Sequence, residues 1–299
     1  MSYQKDLDKE YRDSGEKNKV LPGTLYVVGT PIGNLSDLSD RAKKILSEVD
    51  FVAAEDTRNG GWLLSRFGVK KPLISYFEHN KRERGEIILS RLAAGESCAL
   101  ITDAGMPAIS DPGEDLVRLC RERGVAVSVV PGPCAAVCAL AISGMVTSRF
   151  SFEGFISTQK NNRRDRLLEI KDDRRTLIFY EAPHRLLLTL KDLFEYLGDR
   201  EIALCRELTK LNEEVIRTTL SKAVEYYTEN TPRGEYVIIV AGAEKKAPDE
   251  NALSVKEHVD RYIADGMTKN DAIKQSAKDR GVSKSSVYSE YLKASEETD

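Results

Sequence analysis

Short apolar runs alternate with longer amphipathic stretches through the first half of the chain. Each apolar run is four to six residues long, which is typical of a buried strand. Because helical patterns separate the runs, this half is expected to form a mostly parallel sheet with helices on its faces. The predicted strands are Thr24–Val28, Phe51–Ala54, Leu73–Phe77, Cys98–Ile101 and Val125–Val130.

The second half has a different pattern and predicts a mixed α/β domain. Residues Val215–Leu220 alternate between apolar and polar side chains, as an antiparallel strand does. A strongly amphipathic helix over Leu187–Leu197 ends at Gly198, a residue suited to helix C-termini. Further strands are predicted at Thr176–Tyr180, Ile202–Cys205 and Val237–Ala241.

The two ends of the chain differ from both halves. Residues 1–21 are polar and charged without periodicity, so they predict a flexible arm. A charged linker at 244–249 precedes three short helices, with Thr268 and Ser283 as N-caps of the last two. The predicted parts are the arm 1–21, an N-terminal α/β domain 22–147, a C-terminal α/β domain 148–244 and a helix-turn-helix-like domain 250–295.

Three predicted strands end in loops rich in glycine and proline. They are Gly29–Leu35, Thr102–Gly113 and Pro131–Pro133. In parallel sheets such loops meet beyond the carboxyl ends of the strands, where ligands bind. Asp103 is suited to accept hydrogen bonds from a ribose hydroxyl or an ammonium group, and Gly105 permits close backbone approach. The alternative is a structural loop whose aspartates cap the next turn.

A fourth polar segment, Glu55–Arg58, follows the second strand. It either closes a turn through an ion pair or faces a substrate. A short helix is predicted after it, over Trp62–Phe67. The glycine-rich dinucleotide fingerprint and the P-loop lysine are both missing from these loops, which argues against those two ligand classes.

Composition narrows the range of functions. The chain has 299 residues, 41% of them hydrophobic, and a net charge of −3, so attraction to nucleic acid has to come from local patches. One such patch starts at Lys160, although nearby acids dilute it, and the C-terminal helices form another or only pack on the body. Five cysteines without a Cys-x-x-Cys pair and only three histidines argue against a zinc site and for a reducing cytoplasm. No run is long enough to span a membrane.

Taken in order, these motifs resemble the tetrapyrrole methylase superfamily. The resemblance covers residues 24–243 and is closest to the branch that methylates a cytidine ribose 2′-hydroxyl in small-subunit ribosomal RNA. It includes Pro131–Pro133, Phe179–Arg185 and Arg206–Lys210. It implies two α/β domains with S-adenosylmethionine bound in the cleft between them, a small C-terminal helical domain and a homodimer. Cys134 departs from the family pattern, which commonly has serine there.

Site residues follow from the positions that match the family's motifs. The residues implied to bind the methyl donor are Thr30, Pro31, Asp103, Gly105, Met106, Cys134, Ala135, Tyr180, Ala182, Gly234 and Glu235. Proximity alone suffices for the transfer, or, because a ribose hydroxyl ionises far above neutral pH, a base or a positive neighbour assists it. The candidates for that role are Asp56, Arg58, Glu181 and His184. The expected RNA contacts are Arg58, Lys160, Arg163, Arg164 and Arg185.

Two other functions are compatible with the same motifs. One is a methylase that acts on a small tetrapyrrole or corrinoid, and it would not need the C-terminal helices. The other is a non-catalytic RNA-binding assembly factor that kept the fold. The intact loop around Asp103 and Gly105 argues against the second alternative.

Overall fold

We describe the fold from a computed structural model, which covers residues 19–244 and 253–296. Two compact units meet along the chain at Ala243 and Glu244. The predicted arm 1–21 lies outside the described residues up to residue 18, and the predicted linker 244–249 lies outside them from residue 245. Both α/β sheets belong to the first unit, so the boundary at 147 stays a prediction.

The first sheet is parallel throughout, with strand order β3-β2-β4-β1-β5. The resemblance and the alternating pattern both predicted this architecture, which is confirmed. The strands are β1 Thr24–Val28, β2 Phe51–Ala54, β3 Leu73–Ser75, β4 Cys98–Ile101 and β5 Ala126–Val130. The helices are α1 Asp40–Glu48, α2 Thr57–Arg66, α3 Lys81–Ala93, α4 Gly113–Glu122 and α5 Ala135–Ser143.

Alternate residues of each central strand enter different cores on the two faces of this sheet. On β4, Ala99 and Ile101 pack with α1, whereas Cys98 and Leu100 pack with α3 and α4. A strand covered on both faces carries apolar side chains at every position, because both directions are buried. This explains why the strands read as continuous apolar runs.

The second sheet is mixed, with strand order β6-β7-β10-β8-β9. Only the β6–β7 pair is parallel, and β9 pairs antiparallel with β8 as its alternation predicted. The strands are β6 Phe150–Phe155, β7 Thr176–Glu181, β8 Glu201–Arg206, β9 Glu214–Thr219 and β10 Tyr236–Val240. The helices are α6 Lys160–Ile170, α7 Leu186–Leu197 and α8 Leu220–Glu229.

Helix α5 connects the two sheets. It follows β5 of the first sheet, yet its Ala136, Ala139 and Leu140 pack against Ile178 and Ile239 of the second sheet. The helix is made of small and apolar residues, so its backbone lies close to the strands that it covers. One face of the second sheet is therefore completed by a helix from the first half of the chain.

The C-terminal unit contains three helices, α9 Val255–Ala264, α10 Lys269–Asp279 and α11 Lys284–Glu296. They share a core that includes Val259, Ile273 and Val287. Thr268 caps α10 and the Ser283 hydroxyl accepts from the backbone N–H of Ser286, as predicted. The three short helices predicted for this end of the chain are thus present, and the helix-turn-helix interpretation stays a prediction.

The first turn of α2 corrects one sequence expectation. The helix begins at Thr57, five residues before the predicted start, because the Asp56 carboxylate accepts the Arg58 backbone N–H as an N-cap. This first part contains Gly60 and Gly61, and glycine disfavours a helix interior. Tertiary packing overrides them, since Gly60 is buried against Ala54 and Ile101.

Close backbone contacts hold the loops after β1, β4 and β5 together. A Cβ added to Gly132 would lie 2.7 Å from the Gly29 Cα, so neither position has room for a side chain. Thr30 and Gly105 exchange two backbone hydrogen bonds of 2.9 and 3.1 Å. These contacts fix three loops, far apart in sequence, at one edge of the sheet.

We predict that Gly132→Ala lowers the free energy of unfolding by about 1–3 kcal/mol, the usual cost of overpacking a tight contact. Urea denaturation measures the change. The control is Gly61→Ala inside α2, where the added carbon meets only the end of the Leu73 side chain at 3.3 Å. Equal stability of the Gly132 variant and the parent would contradict the contact described here.

Candidate functional site

A cavity of about 460 Å³ lies between the two sheets of the first unit. Its size falls within the roughly 300–1,000 Å³ of small-molecule sites. One wall comes from the loop after β4 and the start of α5, and the other from the ends of β7 and β8 and the start of β10. Apolar side chains such as Ile32, Leu208 and Val237 line it together with polar groups.

The loop after β4 is held in an unusual conformation at this cavity. Gly105 has φ +86°, and Ala108 and Ser110 also have positive φ values. The Asp111 carboxylate supports the loop by accepting the backbone N–H groups of Ala108 and Gly113 at 3.0 and 2.7 Å. Such strain persists only where the surroundings fix it, and it is common at binding sites.

The exposed carboxylate of Asp103 lies at the rim of the cavity. One of its oxygens accepts the side-chain amide of Asn59 at 2.9 Å. The neighbouring Thr102 hydroxyl donates to Glu55, which directly follows β2, at 2.8 Å. The ends of β2 and β4 therefore present two carboxylates to the same space.

Tyr180 forms part of the opposite wall. Its hydroxyl accepts the backbone N–H of Ala136 at 3.0 Å, which joins β7 to the start of α5. Burial raises the pKa of this phenol to about 12. Phe152 and Phe155 contact its ring edge-to-face, so the ring is fixed in place.

Lys210 is the cation of the cavity lining, and two carboxylates hold it. Its ammonium donates to Glu207 at 2.9 Å and to Glu235 at 2.6 Å. Burial by itself would lower the Lys210 pKa, but these two hydrogen bonds raise it. The pKa of Glu207 is lowered, most by the hydrogen bond from the Glu235 backbone N–H and next by the hydrogen bond from Lys210. The lining thus carries more carboxylates than cations, which favours a positively charged ligand.

Glu181 is buried within a network of its own. One oxygen accepts the Ala182 N–H at 2.9 Å and lies 3.6 Å from the Arg185 guanidinium. The other accepts the hydroxyl of Thr189, to which Arg163 also donates. Both oxygens are engaged with neighbours, so this carboxylate positions the start of α7.

Most residues implied to bind the donor come together at the cavity. Three do not line it. Thr30 is buried, with its hydroxyl 3.3 Å from the Thr102 and Gly105 carbonyl oxygens, and Pro31 is buried beside it. Gly234 packs against the Glu207 side chain, since an added Cβ would lie 2.5 Å from the Glu207 Cγ. The residues that do line it are Asp103, Gly105, Met106, Cys134, Ala135, Tyr180, Ala182 and Glu235.

The four candidates for assisting the transfer are not gathered at one point. Glu181 belongs to the lining, but His184 is exposed on a short 3₁₀ turn outside it. Asp56 and Arg58 form an ion pair at the start of α2, the turn-closing arrangement that the sequence left open. Hydrogen bonds from Arg58 lower the pKa of Asp56 to about 2.

The basic residues expected to contact RNA divide into two groups. Lys160 and Arg164 are exposed on α6, and Arg58 is exposed on α2. Arg163 is a correction: it is buried, paired with Asp192 and bonded to Thr189. Arg185 is partly buried and donates to the Ile156 carbonyl oxygen. A guanidinium with such partners stabilises the fold and is not free to bind a phosphate at the surface.

Sequence reasoning missed two functional candidates, Glu207 and Lys210. Their segment Arg206–Lys210 was part of the resemblance, yet no residue in it had an assigned role. Positive φ values at Glu207 and Thr209 mark the turn that brings both side chains into the cavity. Non-glycine residues in that conformation cannot be identified from residue type, so no sequence signal was available.

The described residues, 19–244 and 253–296, contain no group of three or more His, Cys, Asp or Glu side chains placed to hold a metal ion. No helix in that part of the chain is long and apolar enough to cross a membrane. The five cysteines are all free thiols.

Comparison with known proteins identifies the family of this chain. Residues 24–224 match the profile described as Tetrapyrrole (Corrin/Porphyrin) Methylases. The chain belongs to this family. It is therefore a methyltransferase, as the motifs predicted, and the matched segment contains most of the cavity wall.

Curated relatives extend the similarity to most of the chain. The protein named Ribosomal RNA small subunit methyltransferase I of Halalkalibacterium halodurans is 50% identical over 273 residues, covering 90% of this chain and 94% of the relative. Its Bacillus subtilis namesake is 46% identical over 274 residues, again covering 90% and 94%. The namesake from Synechocystis is 44% identical over 268 residues, covering 89% and 96%.

Solved structures agree on the fold of this methyltransferase. Uroporphyrin-III-C-methyltransferase from Thermus thermophilus matches with a TM-score of 0.54 at 19% identity, covering 73% of this chain and 94% of that one. The cobalamin biosynthetic enzyme cobalt precorrin-4 methyltransferase matches with a TM-score of 0.55 at 17% identity, covering 73% and 95%. At these identities the comparison shows a shared architecture of two α/β sheets.

We predict that Glu207→Gln destabilises the methyltransferase by about 1–2 kcal/mol at neutral pH, because a charged hydrogen-bond acceptor is lost. A carboxyl whose pKa is lowered on folding stabilises the folded protein at every pH above the pKa that the group has in the unfolded chain, which is ordinarily 4.5. That contribution disappears as the pH falls through the lowered pKa. The difference between parent and variant should therefore shrink in urea titrations as the pH falls below 4.5.

The control for this prediction is Glu229→Gln, which changes an exposed carboxylate at the end of α8. Its free energy of unfolding should stay within about 0.5 kcal/mol of the parent at every pH. A pH-independent loss in the Glu207 variant would mean that packing, and not its charge, holds the turn.

Proposed function

We propose that this methyltransferase transfers a methyl group from S-adenosylmethionine to a cytidine ribose 2′-hydroxyl in the ribosomal RNA of the small subunit. The observation that carries the proposal is 44–50% identity, over about nine-tenths of the chain, to relatives named Ribosomal RNA small subunit methyltransferase I. The cavity supports a methyl donor independently.

The residues of the cavity fit this donor. When bound, S-adenosylmethionine supplies a methyl carbon made electrophilic by a sulfonium cation. Carboxylates at Glu55, Asp103 and Glu235 give the lining the negative character that favours such a cation. Gly105 leaves room for close approach of the backbone, and Ile32, Leu208 and Val237 offer an apolar surface to a flat base.

We propose that the protein accelerates the transfer mainly by alignment. An in-line displacement needs the nucleophile, the methyl carbon and the leaving sulfur in one line, and holding them so removes much of the barrier. Glu181 has both oxygens engaged with Ala182, Arg185 and Thr189, which does not suit a general base. His184 and Arg58 lie outside the lining, on the surface where RNA would pass, and Asp56 holds the Arg58 guanidinium there.

Self-association and cytoplasmic location form part of the proposal. Strand β5 is an edge of the first sheet and exposes Val127 and Val129 on one face. Edge strands with exposed apolar side chains favour pairing with another chain. A homodimer would cover this edge, and a ribosomal substrate would be met in the cytoplasm.

The donor part of the proposal predicts a thermal shift. A hundredfold excess of S-adenosylmethionine over its dissociation constant stabilises the protein by about 2.7 kcal/mol. Asp103→Ala should abolish the shift while leaving the unliganded melting temperature within a few degrees of the parent. The matched control, Asp165→Ala, removes an exposed carboxylate on α6 and should keep the shift. Calorimetry without a donor-induced shift in the parent would refute this part.

The substrate part predicts one missing modification. Mass spectrometry of small-subunit ribosomal RNA from a deletion strain should show the loss of a single ribose-methylated cytidine. The wild-type chain should restore the modification, and Asp103→Ala should not. If every ribose methylation persists in the deletion strain, the RNA assignment fails and a small-molecule methylase becomes the leading interpretation.

A further inference from the structure

The outer face of α2 carries an arginine, a tryptophan and an arginine at four-residue spacing. Residues four apart lie on the same side of a helix, so Arg58, Trp62 and Arg66 form one stripe about 12 Å long. The Arg58 side chain is 89% exposed and Trp62 is 56% exposed. The Arg66 guanidinium lies 5.8 Å from the Trp62 ring centroid.

Packing of the helix does not account for this tryptophan. The apolar side of α2 is supplied by Gly60, Leu63 and Leu64, which are buried. Trp62 points away from that core and is the one tryptophan of the chain. Tryptophan side chains are mostly buried in folded proteins, so an exposed indole with the Arg66 guanidinium against its ring indicates a binding surface.

The charge around the stripe is complementary to an RNA backbone. Residues 57–72 contain Arg58, Arg66, Lys70 and Lys71 and no aspartate or glutamate, in a chain whose net charge is −3. The Asp56 carboxylate holds the Arg58 guanidinium at the start of the helix through Nε and Nη2. This geometry provides a fixed cation at one end and an aromatic face in the middle.

The stripe begins at the rim of the donor cavity. Asn59, next to Arg58, donates to the cavity carboxylate of Asp103 at 2.9 Å. Glu55, which precedes the N-cap Asp56, lines the cavity. An RNA strand with one nucleotide in the cavity would therefore have the adjacent nucleotides beside α2.

We propose that the Arg58–Trp62–Arg66 stripe binds the RNA that flanks the target cytidine. An unpaired base stacks on the Trp62 indole, and Arg58 and Arg66 bind phosphates of the same RNA strand on either side of that base. A flat, exposed ring suits a base that has left its helix, because stacking on aromatic side chains is how proteins bind unpaired nucleotides. The inference rests on the proposed function and adds the residues that select a single-stranded region around the target.

Steady-state kinetics on small subunits from the deletion strain test the stripe. Trp62→Ala should raise the KM for subunits by about 5- to 150-fold, the range expected for one lost stacking contact. The kcat at saturation and the donor-induced thermal shift should stay unchanged. Trp62→Phe, which keeps a flat ring, should recover most of the affinity.

The matched control is Tyr226→Ala on α8. Tyr226 is an aromatic residue with 55% exposure, and acidic Glu225 and Glu229 flank it in place of arginines. Its removal should leave the KM at the parent value. An equal rise in both variants would mean that loss of any exposed ring disturbs the protein, and it would overturn the proposal.

Because Trp62 is the one tryptophan of the chain, its fluorescence reports on this stripe alone. A single-stranded cytidine-containing oligoribonucleotide should quench it more strongly than a duplex of equal length, and the quenching should weaken with salt. Unchanged fluorescence while a labelled oligoribonucleotide binds by anisotropy would overturn the stripe and leave the proposed function standing.

Two other outcomes are also decisive. If the parent protein neither binds nor methylates small subunits, the proposed function fails and the stripe fails with it. If Trp62→Ala changes the sedimentation coefficient of the free protein, the indole belongs to a protein–protein contact and the RNA proposal is overturned.

Discussion

The structure depends on one close contact between backbones, that of Gly29 with Gly132. The two loops meet so tightly that neither position has space for a Cβ atom, and Met106 packs against the same point. Backbone hydrogen bonds between Thr30 and Gly105 add the third loop. Each of these loops follows a strand of the parallel sheet. The contact therefore joins the loops at the ends of three strands into one wall. That wall forms one side of the cavity.

The opposite wall is tied to the first by elements that cross between the sheets. Helix α5 leaves β5 and completes the core of the second sheet, and the Tyr180 hydroxyl accepts a backbone N–H at its start. The turn at Arg206–Lys210, after β8, also contacts the loop after β1. The Thr209 hydroxyl accepts the Asn34 backbone N–H at 3.1 Å, and Lys210 packs against Gly33. Two sheets with separate cores thus share one cavity of defined shape, and a ligand there contacts both.

Charge is distributed in a way that suits two different ligands. Carboxylates outnumber cations in the cavity lining, which favours a positively charged ligand, whereas α2 contains arginines and no acidic residue. A net charge of −3 limits attraction to arbitrary polyanions. Local complementarity then has to supply selectivity for RNA. The Asp56–Arg58 ion pair lies where the two regions meet, and it fixes an arginine at the border between cavity and surface.

The sequence by itself determined the elements and the family. Continuous apolar runs specified strands buried on both faces, the alternation at Val215–Leu220 specified an antiparallel strand, and ordered glycine and proline motifs specified which loops form the site. Only the tertiary structure decided which polar side chains are exposed at the surface or line the cavity. Arg163 and Lys160 belong to one basic run, yet one is buried against Asp192 and the other is exposed. Glu207 and Lys210 reach the cavity through a turn with positive φ values. Burial and pairing depend on neighbours distant in sequence, and residue type within a local pattern does not encode them.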